Sequence, residues 1–83
     1  MRMPRSVSGV QLALLLGRRY RYVLIRQRGS HLRLESDFMG YPHRISIPRH
    51  NPIRAGTLNR ILNDVAEYLE MEWEELTRDL FGR

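Results

Sequence analysis

Cysteine and lysine are both absent from this 83-residue chain. Without cysteine the chain forms neither disulfide bonds nor thiolate metal sites, so a cytoplasmic location is the simplest expectation. The main apolar run, from Val10 to Leu16, spans about two helical turns and is followed directly by Arg18 and Arg19. A signal peptide would need a small-residue cleavage site there, and a membrane span would need a longer run. We therefore expect neither of them, and no membrane partner.

Arginine supplies all 14 basic residues, and the charges are unevenly distributed along the chain. Residues 1–60 carry twelve arginines and two acidic residues, a net charge of +10. Residues 61–83 carry two arginines and seven acidic residues, a net charge of −5. The basic segment 1–60, called here the basic body, suits binding to a phosphate backbone. A membrane surface would instead require a basic amphipathic helix with apolar anchors. A structural protein that docks through its acidic tail would leave the basic body unexplained.

The length predicts a single domain over residues 1–83, with residues 1–6 as a flexible basic arm and about 7–81 ordered. Ser8 and Gln11 have the spacing of a capping box, which predicts a helix from Gly9 to about Arg19.

A second helix is predicted from Thr57, a good N-cap residue, because the apolar residues that follow recur at helical spacing up to Leu69. An acidic helix around Leu76 and Leu80 is expected after a turn near Glu70.

Three strands are predicted between the first two helices. Residues 20–27 and 30–36 are rich in β-formers or alternate in polarity, and Arg28-Gly29 supplies the turn of a hairpin. Residues 43–47 alternate again, with Ile45 and Ile47 pointing inward. We therefore expect an α+β αβββα fold, in which two helices pack on one face of a three-stranded antiparallel sheet and an acidic C-terminal helix is added.

The most reactive side chain of the predicted second strand is His31. Period-two geometry puts His31 and Arg33 on the face opposite Leu32 and Leu34, away from the core. A neutral imidazole exchanges protons near pH 7, and neighbouring arginines hold phosphate, so this pattern suits metal-independent RNA cleavage through the 2′-hydroxyl. By spacing alone, a solvated surface histidine among arginines is the more common case.

Other kinds of site are less well supported. His31, His43 and His50 lack the close spacing of zinc ligands, and Ser30 and His31, as neighbours on a strand, point to opposite faces and cannot pair as nucleophile and base. Acidic residues on the last helix are more often a solvated face than a metal site. Aromatic residues in short strands usually pack in the core, although the tyrosines there are also candidates for stacking on bases; they are Tyr20, Tyr22 and Tyr41.

Several short motifs together resemble the HicA (YcfA-like) messenger-RNA interferase toxin family. The motifs are Ser8-Gly9, Arg26-Gln27-x-Gly29-Ser30-His31, Ile45-x-Ile47-Pro48-x-His50, Gly56-Thr57-Leu58-x-x-Ile61-Leu62 and Glu74-Glu75-Leu76. They span about residues 7–81, and their order and spacing make the set specific.

The resemblance implies a fold like the double-stranded-RNA-binding domain and a toxin that cleaves messenger RNA without a metal or other cofactor. It also implies neutralisation by a HicB-type antitoxin that covers the active face. The family's catalytic histidine corresponds to His31, and His50 is a possible auxiliary proton donor. Gly29 would permit a close approach to the strand. The candidates for RNA binding are Arg26, Gln27, Arg28, Gly29, Ser30 and Arg33.

The sequence departs from the family pattern at Glu70 and Glu72, where many relatives have a glycine and a small or polar helix cap. We therefore expect the last two helices to join or turn differently. A non-catalytic RNA-binding module remains the alternative function, because a basic face binds RNA whether or not His31 transfers a proton.

Overall fold

The computed structural model describes residues 6–82 and has the predicted α+β architecture. The elements are α1 (Gly9–Tyr20), β1 (Val23–Arg28), β2 (His31–Ser36), β3 (His43–Pro48), α2 (Ala55–Leu69) and α3 (Trp73–Phe81). The predicted basic arm over residues 1–6 lies, apart from Ser6, outside the described residues. No helix in the described part of the chain is long and apolar enough to cross a membrane.

The capping box predicted for the first helix is confirmed. The Gln11 amide donates to Ser8 Oγ at 3.1 Å, and the Ser8 amide donates to Gln11 Oε1 at 2.8 Å. These two bonds satisfy amide groups that have no partner within the helix. Leu12 and Leu16, one turn apart, are fully buried. The polar cap and the apolar spacing together fix where α1 begins and which side of it faces the core.

The sheet has the order β1-β2-β3, and both pairs of strands are antiparallel. The hairpin is shifted from its predicted position. Tyr20 ends α1 instead of starting a strand, so β1 begins at Val23. Arg28, which was predicted to lie in the turn, pairs with His31 instead. The turn residues are therefore Gly29 and Ser30, not Arg28-Gly29. Burial of Tyr20 and Tyr22 explains why the chain stays against the core at this junction.

One face of the sheet carries the core and the other is open. Leu32 and Leu34 of β2 lie beside Ile47 and Ile45 of β3, and all four side chains are buried. Helices α1 and α2 contact this face of the sheet, and α3 contacts the two helices but no strand. The opposite face, called here the open face, carries His31 and Arg33, as the period-two pattern predicts.

The predicted N-cap of α2 at Thr57 is wrong by three residues. The helix begins at Ala55, with Arg54 as an N-cap whose side chain makes no capping bond. Ile53 is buried, and its amide donates to the Val7 carbonyl at 2.9 Å. This tertiary contact fixes the chain just before the helix. The helix therefore begins earlier than a local capping preference alone would predict.

The turn predicted near Glu70 is confirmed, and it contains a backbone conformation that glycine would normally adopt. Glu70 adopts the left-handed conformation with φ 57°, and its amide donates to carbonyl groups of the last turn of α2. Glu72 caps α3 without a side-chain hydrogen bond. The chain therefore keeps the helix-ending geometry that favours glycine while lacking the glycine.

We expect Glu70→Gly to stabilise the protein. A non-glycine residue in the left-handed region costs free energy, so the substitution should raise the free energy of unfolding by about 0.5–1 kcal/mol. Glu67→Gly is the matched control, because Glu67 is an exposed residue inside α2 and its change should lower stability by about 1 kcal/mol. Urea denaturation of both variants measures the two effects. Equal losses of stability would contradict the prediction.

Candidate active site

His31 is the first residue of β2 and stands exposed on the open face. It lies opposite Arg28 of β1 on one side and Pro48 of β3 on the other. Both neighbours are the last residues of their strands, so His31 sits at one end of the sheet. A ligand can therefore reach the imidazole without any movement of the core.

The hairpin turn beside His31 needs glycine for its backbone conformation. Gly29 has φ 58°, and a methyl group there would meet no atom within 4 Å. The space around Gly29 is open, so its role in permitting a close approach to the strand stays a prediction. The left-handed φ, which glycine adopts without steric cost, is the reason for the residue.

Two backbone hydrogen bonds hold the segment after β3, one to this turn and one to the start of α1. The Arg49 amide donates to the Ser30 carbonyl at 2.6 Å, and the Gly9 amide donates to the His50 carbonyl at 2.9 Å. The segment that carries His50 is thus fixed to both the hairpin and the start of α1.

His31 and His50 line one cavity of about 480 Å³ between β3 and the first turns of α2. Arg54, Thr57 and Arg60 line the same cavity. The positive end of the α2 dipole lies beside it, because the helix begins at Ala55. Two groups able to exchange protons therefore share this cavity, whose lining carries three arginines and one acidic residue, Asp64.

A second cavity, of about 490 Å³, lies on the open face and also includes His31. Its lining brings together three of the predicted RNA-binding arginines: Arg26, Arg28 and Arg33. Arg44 lines it too, but its guanidinium Nε is 2.7 Å from Glu35 Oε1. Within residues 6–82, no carboxylate lies within salt-bridge distance of the three predicted arginines. Their charges are therefore available to an anionic ligand.

The remaining predicted site residues are arranged differently. Gln27 pairs with Leu32, so it lies on the helix side of β1, apart from the arginines. It lines a different groove, together with residues of α1. Ser30 is exposed at the turn, and within residues 6–82 no hydrogen bond joins its hydroxyl to His31. The structure thus brings His31, His50 and three arginines together, and it separates Gln27 from them.

His43 is held away from this site by structural contacts. Its Nδ1 is 2.8 Å from the Tyr22 hydroxyl, its Nε2 is 3.2 Å from Asp64 Oδ1, and its ring stacks on Tyr68. Burial raises the pKa of the Tyr22 phenol, and nearby Tyr68 and Asp64 raise it further, so Tyr22 stays protonated at neutral pH. Within residues 6–82, no group of three or more His, Asp or Glu side chains is placed to hold a metal ion.

Of the three tyrosines considered for base stacking, two belong to the core. Tyr20 and Tyr22 are buried, and only Tyr41 is exposed, at 53%. Tyr20 also donates a hydrogen bond to Asp79 of α3, which ties α3 to α1.

The sequence analysis missed part of the cavity lining. The two residues from β3 alternate with buried Ile45 and Ile47, so the period-two pattern contained the signal for them. Those in α2 and at its N-cap come from a different part of the chain, and only the tertiary fold places them beside His31. The missed polar residues are Arg44, Ser46, Arg54, Thr57, Arg60 and Asp64.

Comparison with known proteins gives one match, to a family. No curated protein and no solved structure matches the chain. A family model described as the HicA toxin of bacterial toxin-antitoxin systems matches residues 16–66. This segment runs from the second half of α1 through most of α2, and it includes His31 and His50.

Proposed function

We propose, since the chain belongs to the HicA toxin family of bacterial toxin-antitoxin systems, that it is an endoribonuclease that cleaves messenger RNA without a metal ion. The observation that carries the proposal is the exposed His31 beside Arg26, Arg28 and Arg33, which have no carboxylate partner within residues 6–82. We further propose that a HicB-type antitoxin inhibits the toxin by covering this open face.

The reaction uses the RNA's own 2′-hydroxyl as the nucleophile. His31 accepts the proton of that hydroxyl while its oxygen forms a bond to phosphorus, and the bond from phosphorus to the 5′-oxygen breaks. The leaving 5′-oxygen takes up a proton, for which His50 is the candidate donor because it lines the same cavity as His31. The products are a 2′,3′-cyclic phosphate and a 5′-hydroxyl, so every atom and proton is accounted for.

The arginines stabilise the charge that develops during this reaction. A pentacoordinate phosphate carries more negative charge on its oxygens than the starting diester. Guanidinium groups donate two parallel hydrogen bonds to such oxygens and cannot lose their protons at neutral pH. Arg28 is the best positioned of the three, because it lies directly opposite His31 in the sheet.

The direct test is cleavage of a defined single-stranded RNA by the purified protein in EDTA. We expect fragments whose 5′-hydroxyl ends are labelled directly by polynucleotide kinase. The control RNA carries a 2′-deoxynucleotide at each mapped cleavage position and should stay intact, since it lacks the nucleophile. If the RNA is bound but never cut, the chain is a non-catalytic RNA-binding module. If the deoxy control is cut as well, the proposed chemistry is wrong.

Binding should depend strongly on salt, and Arg28 should contribute to that dependence. Each phosphate contact on a single strand contributes about 0.7 to the slope of log affinity against log salt concentration. We expect Arg28→Gln to reduce the slope by about that amount. Arg78→Gln on α3 removes the same charge far from the open face and should leave the slope unchanged. Fluorescence anisotropy across a salt series measures both variants, and identical slopes for the two would contradict the prediction.

A further inference from the structure

An apolar groove lies on the helix side of the sheet, between α1 and β1, and we call it the α1–β1 groove. It encloses about 560 Å³. Its apolar lining includes Val10, Ala13, Leu14, Leu24, Leu32 and Leu34. Leu14 is 55% exposed and Leu24 is 54% exposed, although each has an aliphatic side chain. Exposed aliphatic residues grouped around one groove are typical of a binding surface.

The groove borders a strand edge that has no neighbour within residues 6–82. β1 is the outer strand of the sheet and pairs only with β2. Its side chains alternate between the two faces: Leu24 and Gln27 point to the groove, while Arg26 and Arg28 point to the open face. A strand added at this edge would therefore contact an apolar surface with one set of side chains and a basic surface with the other.

The charges around the groove indicate the kind of occupant. Arg18 and Arg49 line it, and among the described residues 6–82 no acidic one does. A second copy would bring the same arginines to the edge, so like charges would oppose self-pairing. Nucleic acid bases stack on exposed aromatic faces, and the groove's one aromatic residue, Tyr22, is only 3% exposed. An extended protein segment satisfies both sides of the β1 edge if its apolar side chains meet the groove and its acidic side chains meet Arg26 and Arg28 on the open face.

We propose that the α1–β1 groove and the β1 edge bind an extended segment of a partner protein in which apolar and acidic side chains alternate. The apolar side chains fill the groove, and the acidic side chains reach Arg26 and Arg28. A bulge between Leu24 and Arg26 interrupts the ladder with β2. Regular backbone pairing with the partner is therefore confined to residues Arg26–Arg28 of β1. Along the first half of β1, side-chain contacts hold the partner.

Such a segment competes with RNA, because Arg28 belongs to both surfaces. It lies opposite His31 and lines the open-face cavity. A carboxylate bound to Arg28 removes a positive charge that the scissile phosphate would use. If the partner is the antitoxin, which rests on the proposed function, this contact supplies part of the inhibition from a surface outside the His31 cavities.

The test uses a fluorescein-labelled synthetic peptide of alternating valine and glutamate residues, titrated with the full-length protein. We expect saturable binding that a peptide with lysine in place of glutamate does not show. Leu14→Gln should weaken binding about tenfold, since it removes an apolar contact in the groove. Phe38→Gln changes an exposed apolar residue outside the groove and should bind like the wild type. Circular dichroism confirms that both variants are folded.

Three outcomes would overturn the inference: no saturation with the glutamate peptide, equal binding of the lysine peptide, or equal affinity of Leu14→Gln and the wild type. The titration contains no RNA, so its failure leaves the proposed nuclease activity standing. Conversely, a protein that binds the peptide and cuts no RNA retains the groove as a partner site. Displacement of labelled RNA by the glutamate peptide then measures the competition at Arg28.

Discussion

His31→Ala should abolish RNA cleavage while leaving the fold intact. Positioned general acid–base groups contribute about 10²–10⁴-fold to the rate, so we expect a loss of that size. His31 is exposed and makes no side-chain hydrogen bond within residues 6–82, so stability should change by less than about 0.5 kcal/mol. Single-turnover cleavage in EDTA, with urea denaturation alongside, measures both quantities.

Two further histidine variants make the test specific. His50→Ala should slow cleavage less than His31→Ala, because His50 is the auxiliary donor and solvent can replace it. His43→Ala should lower stability instead, since His43 is hydrogen-bonded to Tyr22 and Asp64 and stacked on Tyr68. A folded His31→Ala protein that cuts RNA at the wild-type rate would refute the assignment of His31.

Gly9→Ala should strongly destabilise the protein, although alanine favours helices. A methyl group at Gly9 would collide with the carbonyl oxygen of Pro48, a backbone atom that cannot rotate away. Forcing such a contact into a packed structure costs about 1–3 kcal/mol, and the displaced backbone also carries the Gly9–His50 hydrogen bond. We therefore expect a loss of about 2–3 kcal/mol in the free energy of unfolding, together with slower cleavage.

Gly56→Ala is the control, and its effect on stability should have the opposite sign. Gly56 lies in the first turn of α2, and a methyl group there meets no atom within 4 Å. The same substitution should therefore raise stability by about 0.5–1 kcal/mol. Thermal denaturation of the two variants side by side compares them directly. If Gly9→Ala is as stable as Gly56→Ala, the close approach of α1 to Pro48 is not present in solution.

Local patterns predicted most of the fold because each element has a local cause. The capping box sets the start of α1, and alternation in β2 puts His31 on the open face. Thr57 shows the limit of such rules. It is a favourable cap residue, yet the helix begins before it, because buried Ile53 fixes the chain just outside the helix. Element boundaries depend on tertiary contacts that a local pattern does not contain.

The site was predictable where one strand carries it and not where distant segments meet. Alternation along β1 distinguishes Arg28 from Gln27 once Arg28 is known to pair with His31, but the register depends on where the turn falls. The need for glycine at position 9 comes from Pro48, far along the chain, so no local rule reveals it. The same holds for Arg54 and Arg60, which reach the cavity only after α2 packs on the sheet.

The acidic helix α3 packs on the other helices, on the side of the sheet away from the open-face arginines. The molecule is therefore an electric dipole, positive on the side that carries His31. An approaching polyanion exerts a torque that turns this side toward it before any contact forms. The torque shortens the time that the two molecules spend reaching the right orientation. The advantage fades as salt reduces the Debye length to about 8 Å, the value at physiological ionic strength. Helix α3 thus influences how fast a polyanion reaches the open face without touching it.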